Sequence, residues 1–182
     1  MNYLISDTHF DHANIIKYCD RPFSSVEEMN QTLVENWNKT VNEDDTVFFL
    51  GDLALGRDPL AWLELLNGNV ILIKGAHDRF FRGTRKSLVL HSEGVDLLLI
   101  HNPADVPEDW HGWVVHGHKH NTAPLIDPVN KRVNVSVEVI DYTPISVSRV
   151  VSMIRAHEQP RPVYAKLRLH KRPSVPELRG VR

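Results

Sequence analysis

Apolar runs and one-sided apolar stripes alternate along the first half of the chain. Tyr3-Leu4-Ile5 predicts a short strand that stops at Ser6-Asp7. From His12 to Cys19 the apolar positions are 13, 15, 16 and 19, a helical pattern. Ser24 and Ser25, with Glu27 and Glu28 three residues on, form overlapping capping boxes. The helix they open should run to about Lys39, with Val26, Met29, Leu33 and Trp37 on one face. Thr46 to Leu50 is a continuous apolar run, which predicts a central strand buried on both faces. Asp58-Pro59 predicts an N-cap with proline at the first helical position, and a helix to Leu66. Val70 to Ile73 predicts another buried strand, followed by Gly75-Ala76-His77-Asp78. Strand, helix, strand, helix, strand implies right-handed crossovers and a parallel sheet.

The second half changes pattern. Ser87–His91 and Val95–Ile100 flank Ser92-Glu93-Gly94 and read as a hairpin. Trp113–Val115 predicts a short strand, and Arg132–Val139 alternates like a half-exposed one. Ser146–His157 predicts a helix with Val147, Val150, Val151 and Ile154 inward. The expected architecture is α/β: one largely parallel sheet and one more antiparallel, covered by helices. Residues 1–158 are expected to form one domain, with 159–182 as a basic tail containing four prolines.

Composition narrows the class. With 42% hydrophobic and 24% charged residues among 182, the chain is neither disordered nor membrane-embedded in type. No run of 18 apolar residues predicts a membrane span, and the first residues have no basic lead of a secretory signal. The single cysteine, Cys19, reads as a half-buried small apolar residue, and a reducing cytoplasm is the expected address. Eleven residues are histidine. Residues 159–182 carry seven Lys/Arg and one Glu, +6 in a chain of net −2, which leaves −8 for residues 1–158. An acidic, histidine-rich body suits cations. The basic tail reads as a surface-hugging terminus, with an arm for nucleic acid or a partner subunit, a second copy included, as the alternative.

The acids and histidines fall where strands end. Asp7 and His9 follow the first strand, Asp52 the second, His77 and Asp78 the third. His101 ends the hairpin, and His116, His118 and His120 follow Trp113–Val115. Carboxyl ends of parallel strands form the ligand crevice of open α/β sheets. If the backbone is extended, Asp-x-His and His-x-His each point two side chains the same way. Carboxylate with imidazole and no thiolate suits Mn, Fe, Zn, Co or Ni. Two ligand sets sharing one carboxylate would fit a two-metal site.

These residues resemble the calcineurin-like metallophosphoesterases. The family's pattern appears as Asp7-x-His9, Gly51-Asp52, Gly75-Ala76-His77-Asp78, His101 and Gly117-His118-x-His120. The opening stretch, SDTHFDHANIIKYCDRPF, looks like a small, single-domain bacterial and phage branch. The resemblance implies a four-layer α-β-β-α sandwich of two mixed sheets flanked by helices. It implies two divalent ions, with manganese the best fit: Asp7, His9 and His120 on the first, Asp52 bridging, His101 and His118 on the second. A metal-bridging hydroxide would attack phosphorus in line with the leaving oxygen. His77 would act as general acid or as a donor that stabilises the phosphate, with Asp78 orienting its ring.

Ala76 is the departure, because the family has Asn there as a ligand of the second ion. A methyl group cannot ligate, so a weaker second ion and lowered turnover are expected. The match around it fits an engineered or recent substitution better than ancestral decay. His12, Asn14, Arg21 and Arg79 are candidate substrate contacts, and His116 a candidate support for a ligand. With little room for a capping domain, the site should be open and take small phosphoesters, cyclic nucleotides among them. The alternatives are a nuclease using the basic tail, and a non-catalytic interaction module of the same fold.

Overall fold

The computed structural model describes residues 1–56, 58–79 and 84–158. The first sheet has the order β3-β2-β1-β9. Strands β1 (Asn2–Ile5), β2 (Thr46–Phe49) and β3 (Asn69–Leu72) run parallel, and β9 (Ile145–Ser146) pairs antiparallel with β1. The second sheet has the order β4-β5-β6-β8-β7. Here β5 (Val95–Ile100), β6 (Trp113–His116) and β8 (Arg132–Asn134) run parallel, with β4 (Ser87–Ser92) and β7 (Ile126–Asp127) antiparallel on the edges. Both sheets are therefore mixed.

Alternation in the strands divides the core. Tyr3, Ile5, Val47 and Phe49 face α1 (Ala13–Tyr18), α2 (Val26–Thr40) and α3 (Pro59–Glu64). Leu4, Phe48, Leu50 and Ile73 face the second sheet, meeting Leu97, Leu99, Trp113, Val115 and Val133. Helix α4 (Val147–Glu158) adds Val147, Val150, Val151 and Ile154 to that inter-sheet core. The caps form as expected: Ser25 accepts from the N–H of Glu28, and Asp58 from that of Ala61.

Two elements differ from expectation. Strand β3 is only half-buried, because it is the edge of its sheet and not an inner strand. The alternating segment 132–139 is not one half-exposed strand. β8 ends at Asn134, a 3-10 turn spans Val137–Val139, and Asn134 and Ser136 are fully buried.

The sheets are stitched together where their parallel strands end. Ser6 bridges Ser136 in parallel, its N–H donating to Val135 O at 2.9 Å and its carbonyl accepting from Val137 N at 3.2 Å. Gly117 N donates to His101 O at 3.0 Å. Every motif residue lies at this seam or just beyond it. Among the described residues no helix is long and apolar enough to cross a membrane. The basic segment 159–182 lies outside them.

Candidate metal centre

The turns after the strands carry the centre, and they are strained. Asp7 (φ 59°), His9 (51°), Asp52 (60°), His118 (67°) and His120 (48°) all have left-handed backbone. The backbone at Asp-x-His and His-x-His is not extended as expected; left-handed turns aim the side chains instead. Each such residue costs on the order of 1–3 kcal/mol and persists only where surroundings over-determine it. Close approach demands all three motif glycines, Gly51, Gly75 and Gly117. A Cβ on Gly51 (φ 93°) would lie 2.5 Å from Gly75 N, and one on Gly117 would lie 2.4 Å from Asp7 Oδ2.

Asp7 is fully buried. Its Oδ2 accepts from Ser6 Oγ at 2.6 Å, Ser136 Oγ at 2.8 Å and His118 N at 2.9 Å. Oδ1 is left free, 4.0 Å from His9 Nε2 and 3.8 Å from His120 Nε2. Burial pushes the Asp7 carboxyl up from its ordinary value, although His101 and His120 pull it down. Burial also depresses the His9 imidazole, to about 3. His120 turns its Nδ1 to Glu138 Oε1 at 2.8 Å. Burial lowers the His120 imidazole, but Cys19, Glu138 and Asp7 outweigh it and raise it to about 10.

Asp52 sits between the two ligand sets. Its Oδ2 lies 3.7 Å from His9 Nε2, 3.4 Å from His101 Nε2 and 3.9 Å from His77 Nε2. Its Oδ1 accepts from the His77 N–H at 2.8 Å. Burial opposes ionisation of Asp52, but the bond and charge of His101 hold its carboxyl well below the usual range. The His101 Nδ1 donates to Leu50 O at 2.8 Å, which leaves Nε2 for a ligand. Burial lowers that imidazole while Asp52 and Asp7 raise it, to about 9. His118 is half-buried with its ring 5.2 Å from that of His101, and Ala76 is exposed. The His77 side chain is 52% exposed, a ring open to anything bound beside it.

Several expected roles do not survive the geometry. Asp78 does not spend its hydrogen bonds on the His77 ring. Its carboxylate accepts from the backbone N–H groups of Asp52 (2.8 Å), Leu53 (3.0 Å) and Gly75 (2.7 Å), pinning two strand ends together. Arg21 is buried, its guanidinium donating to Asp7 O at 2.7 Å, Thr8 O at 2.8 Å and Glu138 Oε1 at 2.7 Å. It braces the first turn from behind and cannot meet a substrate. His116 donates to Gly117 O at 2.8 Å rather than to a ligand's ring. His12 precedes a helix of six residues without capping it by its side chain; it is half-buried, with its Nδ1 3.4 Å from His9 Nδ1. Asn14 and Arg79 are exposed. Sequence reasoning missed Ser6, Ser136 and Glu138.

The residues fit a cation. Asp7 Oδ1, His9 Nε2 and His101 Nε2 are buried without a hydrogen-bond partner. Leaving such a group bare costs about 1–3 kcal/mol, so three aimed at common space need an acceptor of lone pairs. Asp7, His9 and His120 offer ligand atoms within 4.8 Å of one another, and so do Asp7, Asp52 and His101. Two donors about 2.1 Å from one ion at the tetrahedral angle lie about 3.4 Å apart, and farther at wider angles. The observed 3.4–4.0 Å spacings suit that. His118 belongs to neither group.

Comparisons with known proteins find relatives in sequence and in structure. An uncharacterized protein of Methanocaldococcus jannaschii, MJ1445, is 50% identical over 161 residues, covering 84% of this chain and 90% of that one. The gene 66 protein of Mycobacterium phage L5 is 33% identical over 81 residues, 42% of this chain and 39% of its own. The crystal structure of AQ665 from Aquifex aeolicus, a protein of unknown function, superposes with a TM-score of 0.65 at 26% identity, covering 85% of this chain and 99% of that chain. No family model matches. The chain therefore belongs to one family with MJ1445, and its motifs, gathered at one seam between two mixed sheets, agree with the resemblance to the calcineurin-like metallophosphoesterases.

Proposed function

We propose that the chain is a divalent-metal-dependent phosphoesterase. It would hydrolyse phosphodiester bonds of small substrates, cyclic nucleotides among them, and phosphomonoesters less well. The observation that carries this is the set of unpartnered, buried atoms Asp7 Oδ1, His9 Nε2 and His101 Nε2 beside the half-exposed His77. Asp7, His9 and His120 would hold one ion, and Asp52, His101 and His118 a second, with manganese as the best fit. When bound, such a pair lowers the pKa of water and neutralises charge developing at phosphorus. Asp52 would hold both ligand sets in one geometry. Water would attack phosphorus in line with the leaving oxygen, losing a proton to solvent as the bond from phosphorus to the leaving oxygen breaks, and His77 would give that oxygen its proton.

A small substrate is supported by a cavity of about 660 Å³ that opens beside Ala76, His101 and His118. Lys74, Lys86 and Asn102 line it too. That volume suits a nucleotide-sized ligand, and the lysines suit an anionic one. Ala76 weakens the half of the centre next to this cavity, so the chain as it stands turns over slowly. Both this chain and its Ala76→Asn variant should be assayed with Mn²⁺ against bis-p-nitrophenyl phosphate, p-nitrophenyl phosphate and 2′,3′-cyclic nucleotides. Diester cleavage is the expected result. No cleavage of any ester by the metal-loaded Asn variant would overturn the reading.

A further inference from the structure

Arg21 and Glu138 meet across 117 residues of chain in the buried layer behind the centre. Glu138 Oε1 receives Arg21 Nε at 3.0 Å, Arg21 Nη2 at 2.7 Å and His120 Nδ1 at 2.8 Å. The same guanidinium donates to the carbonyls of Asp7 and Thr8, inside the left-handed turn that presents Asp7 and His9. One charged pair thus touches both chain segments that supply the first ligand set.

Stability alone is a poor reason for this placement. Desolvating two charges offsets much of their attraction, and well-packed apolar side chains often serve a fold as well. A carboxylate behind a ligand imidazole does something an apolar residue cannot. By accepting from Nδ1–H it fixes the tautomer, turns the ring, and leaves Nε2 with its lone pair forward. His120 Nε2 indeed faces Asp7 Oδ1 at 3.8 Å.

We infer that Arg21 and Glu138 are positioning residues for the first ligand set. Glu138 holds the His120 ring, and Arg21 locks Glu138 to the strained Asp7–His9 turn. The inference rests on the reading that Asp7, His9 and His120 take a divalent ion. It needs no particular substrate.

The test is titration of Mn²⁺ into the metal-free full-length chain by calorimetry. Glu138→Gln and Arg21→Lys are compared with the unaltered chain, and Glu138→Gln is repeated in a His120→Ala background. Gln removes the charge that favours Nδ1–H donation, and Lys cannot reach two carbonyls and a carboxylate with one planar fork. Each single variant should weaken one Mn²⁺ site by roughly 10–100-fold and leave the other unchanged. In the His120→Ala background Glu138→Gln should alter affinity by no more than about twofold, because its effect runs through that ring. Unchanged affinity, equal loss at both sites, or the full loss persisting without His120 would each overturn the inference. Should Glu138→Gln fail to melt cooperatively, Glu138→Asp is judged on the same criteria. If the unaltered chain takes up no Mn²⁺, the metal reading falls and this inference with it. If it takes up Mn²⁺ but cleaves no ester, only the proposed activity falls and the titration still decides.

Discussion

Asp7 and Asp52 each follow a parallel strand, each is buried, and their φ values are 59° and 60°. What surrounds them differs. Around Asp7, two serines and a backbone N–H fix one carboxylate oxygen, Arg21 holds the adjoining carbonyls, and Glu138 backs His120. Around Asp52, Asp78 pins the backbone, but the side chains facing outward are open to solvent: half-buried His118, exposed Ala76 and His77 at 52% exposure. Strain is stored on both sides, and only one side is closed over it. A rigid, dry half keeps its donors aimed without help from a ligand, while an open half leaves room for one. The cavity opens on the second half.

Aspartate substitutions should break this comparison most sharply. Asp7 Oδ1 faces both His9 and His120, so Asp7→Asn should abolish Mn²⁺ uptake at the first site. The loss should exceed the roughly 10–100-fold expected from removing a partner of a ligand. Asp52→Asn should spare the first half, leaving one ion per chain by elemental analysis after dialysis. If Asp52→Asn empties both halves, they are not separable and the contrast is wrong. A smaller effect should sharpen it. Ala76→Asn adds an amide oxygen on the open side only. It should tighten the weaker Mn²⁺ site roughly tenfold, about 1.4 kcal/mol, and raise turnover at saturating metal. Equal rates in the two versions would mean that position 76 has no part in the centre.

Much of this was legible because apolar runs mark strands and motif residues sit where the runs stop. The sheets, the helices and the convergence of Asp7, His9, Asp52, His77, His101 and His120 follow from that. The bracing was not legible, for a physical reason. Asn134, Ser136 and Glu138 occupy alternate positions, and period-two polarity looks the same whether the polar face meets water or a buried site. Here it meets the site, and the residues read as solvent-facing are buried. Arg21 misled in the opposite way, because an arginine near phosphate chemistry suggests a substrate contact, and only the tertiary structure places it behind the turn. Backbone at positive φ was invisible too, since neither aspartate nor histidine announces it as glycine does.

Protons give the smallest expected effect and a test of both halves at once. Without metal, the raised His101 (about 9) and His120 (about 10) lie above their ordinary 6.5. Their contribution to stability is therefore complete below about pH 6.5 and is lost as pH rises through 9 to 10. His9, depressed to about 3, and Glu138, depressed to about 2, run the other way. Theirs is complete above their ordinary 6.5 and 4.5, and is lost as pH falls through the depressed values. The metal-free chain should thus be most stable near about pH 6.5, with urea midpoints falling on either side. A divalent ion takes only neutral imidazole, so filling both halves near pH 7.5 should release about two protons per chain, one from each raised histidine. Calorimetry in buffers of different ionisation enthalpy counts them. Saturation with Mn²⁺ should also flatten the decline in urea midpoint between about pH 7 and 9, because metal then occupies the nitrogens that protons would leave. Release of only about one proton would place a single raised histidine on the metal, and which half it belongs to follows from repeating the count in Asp52→Asn.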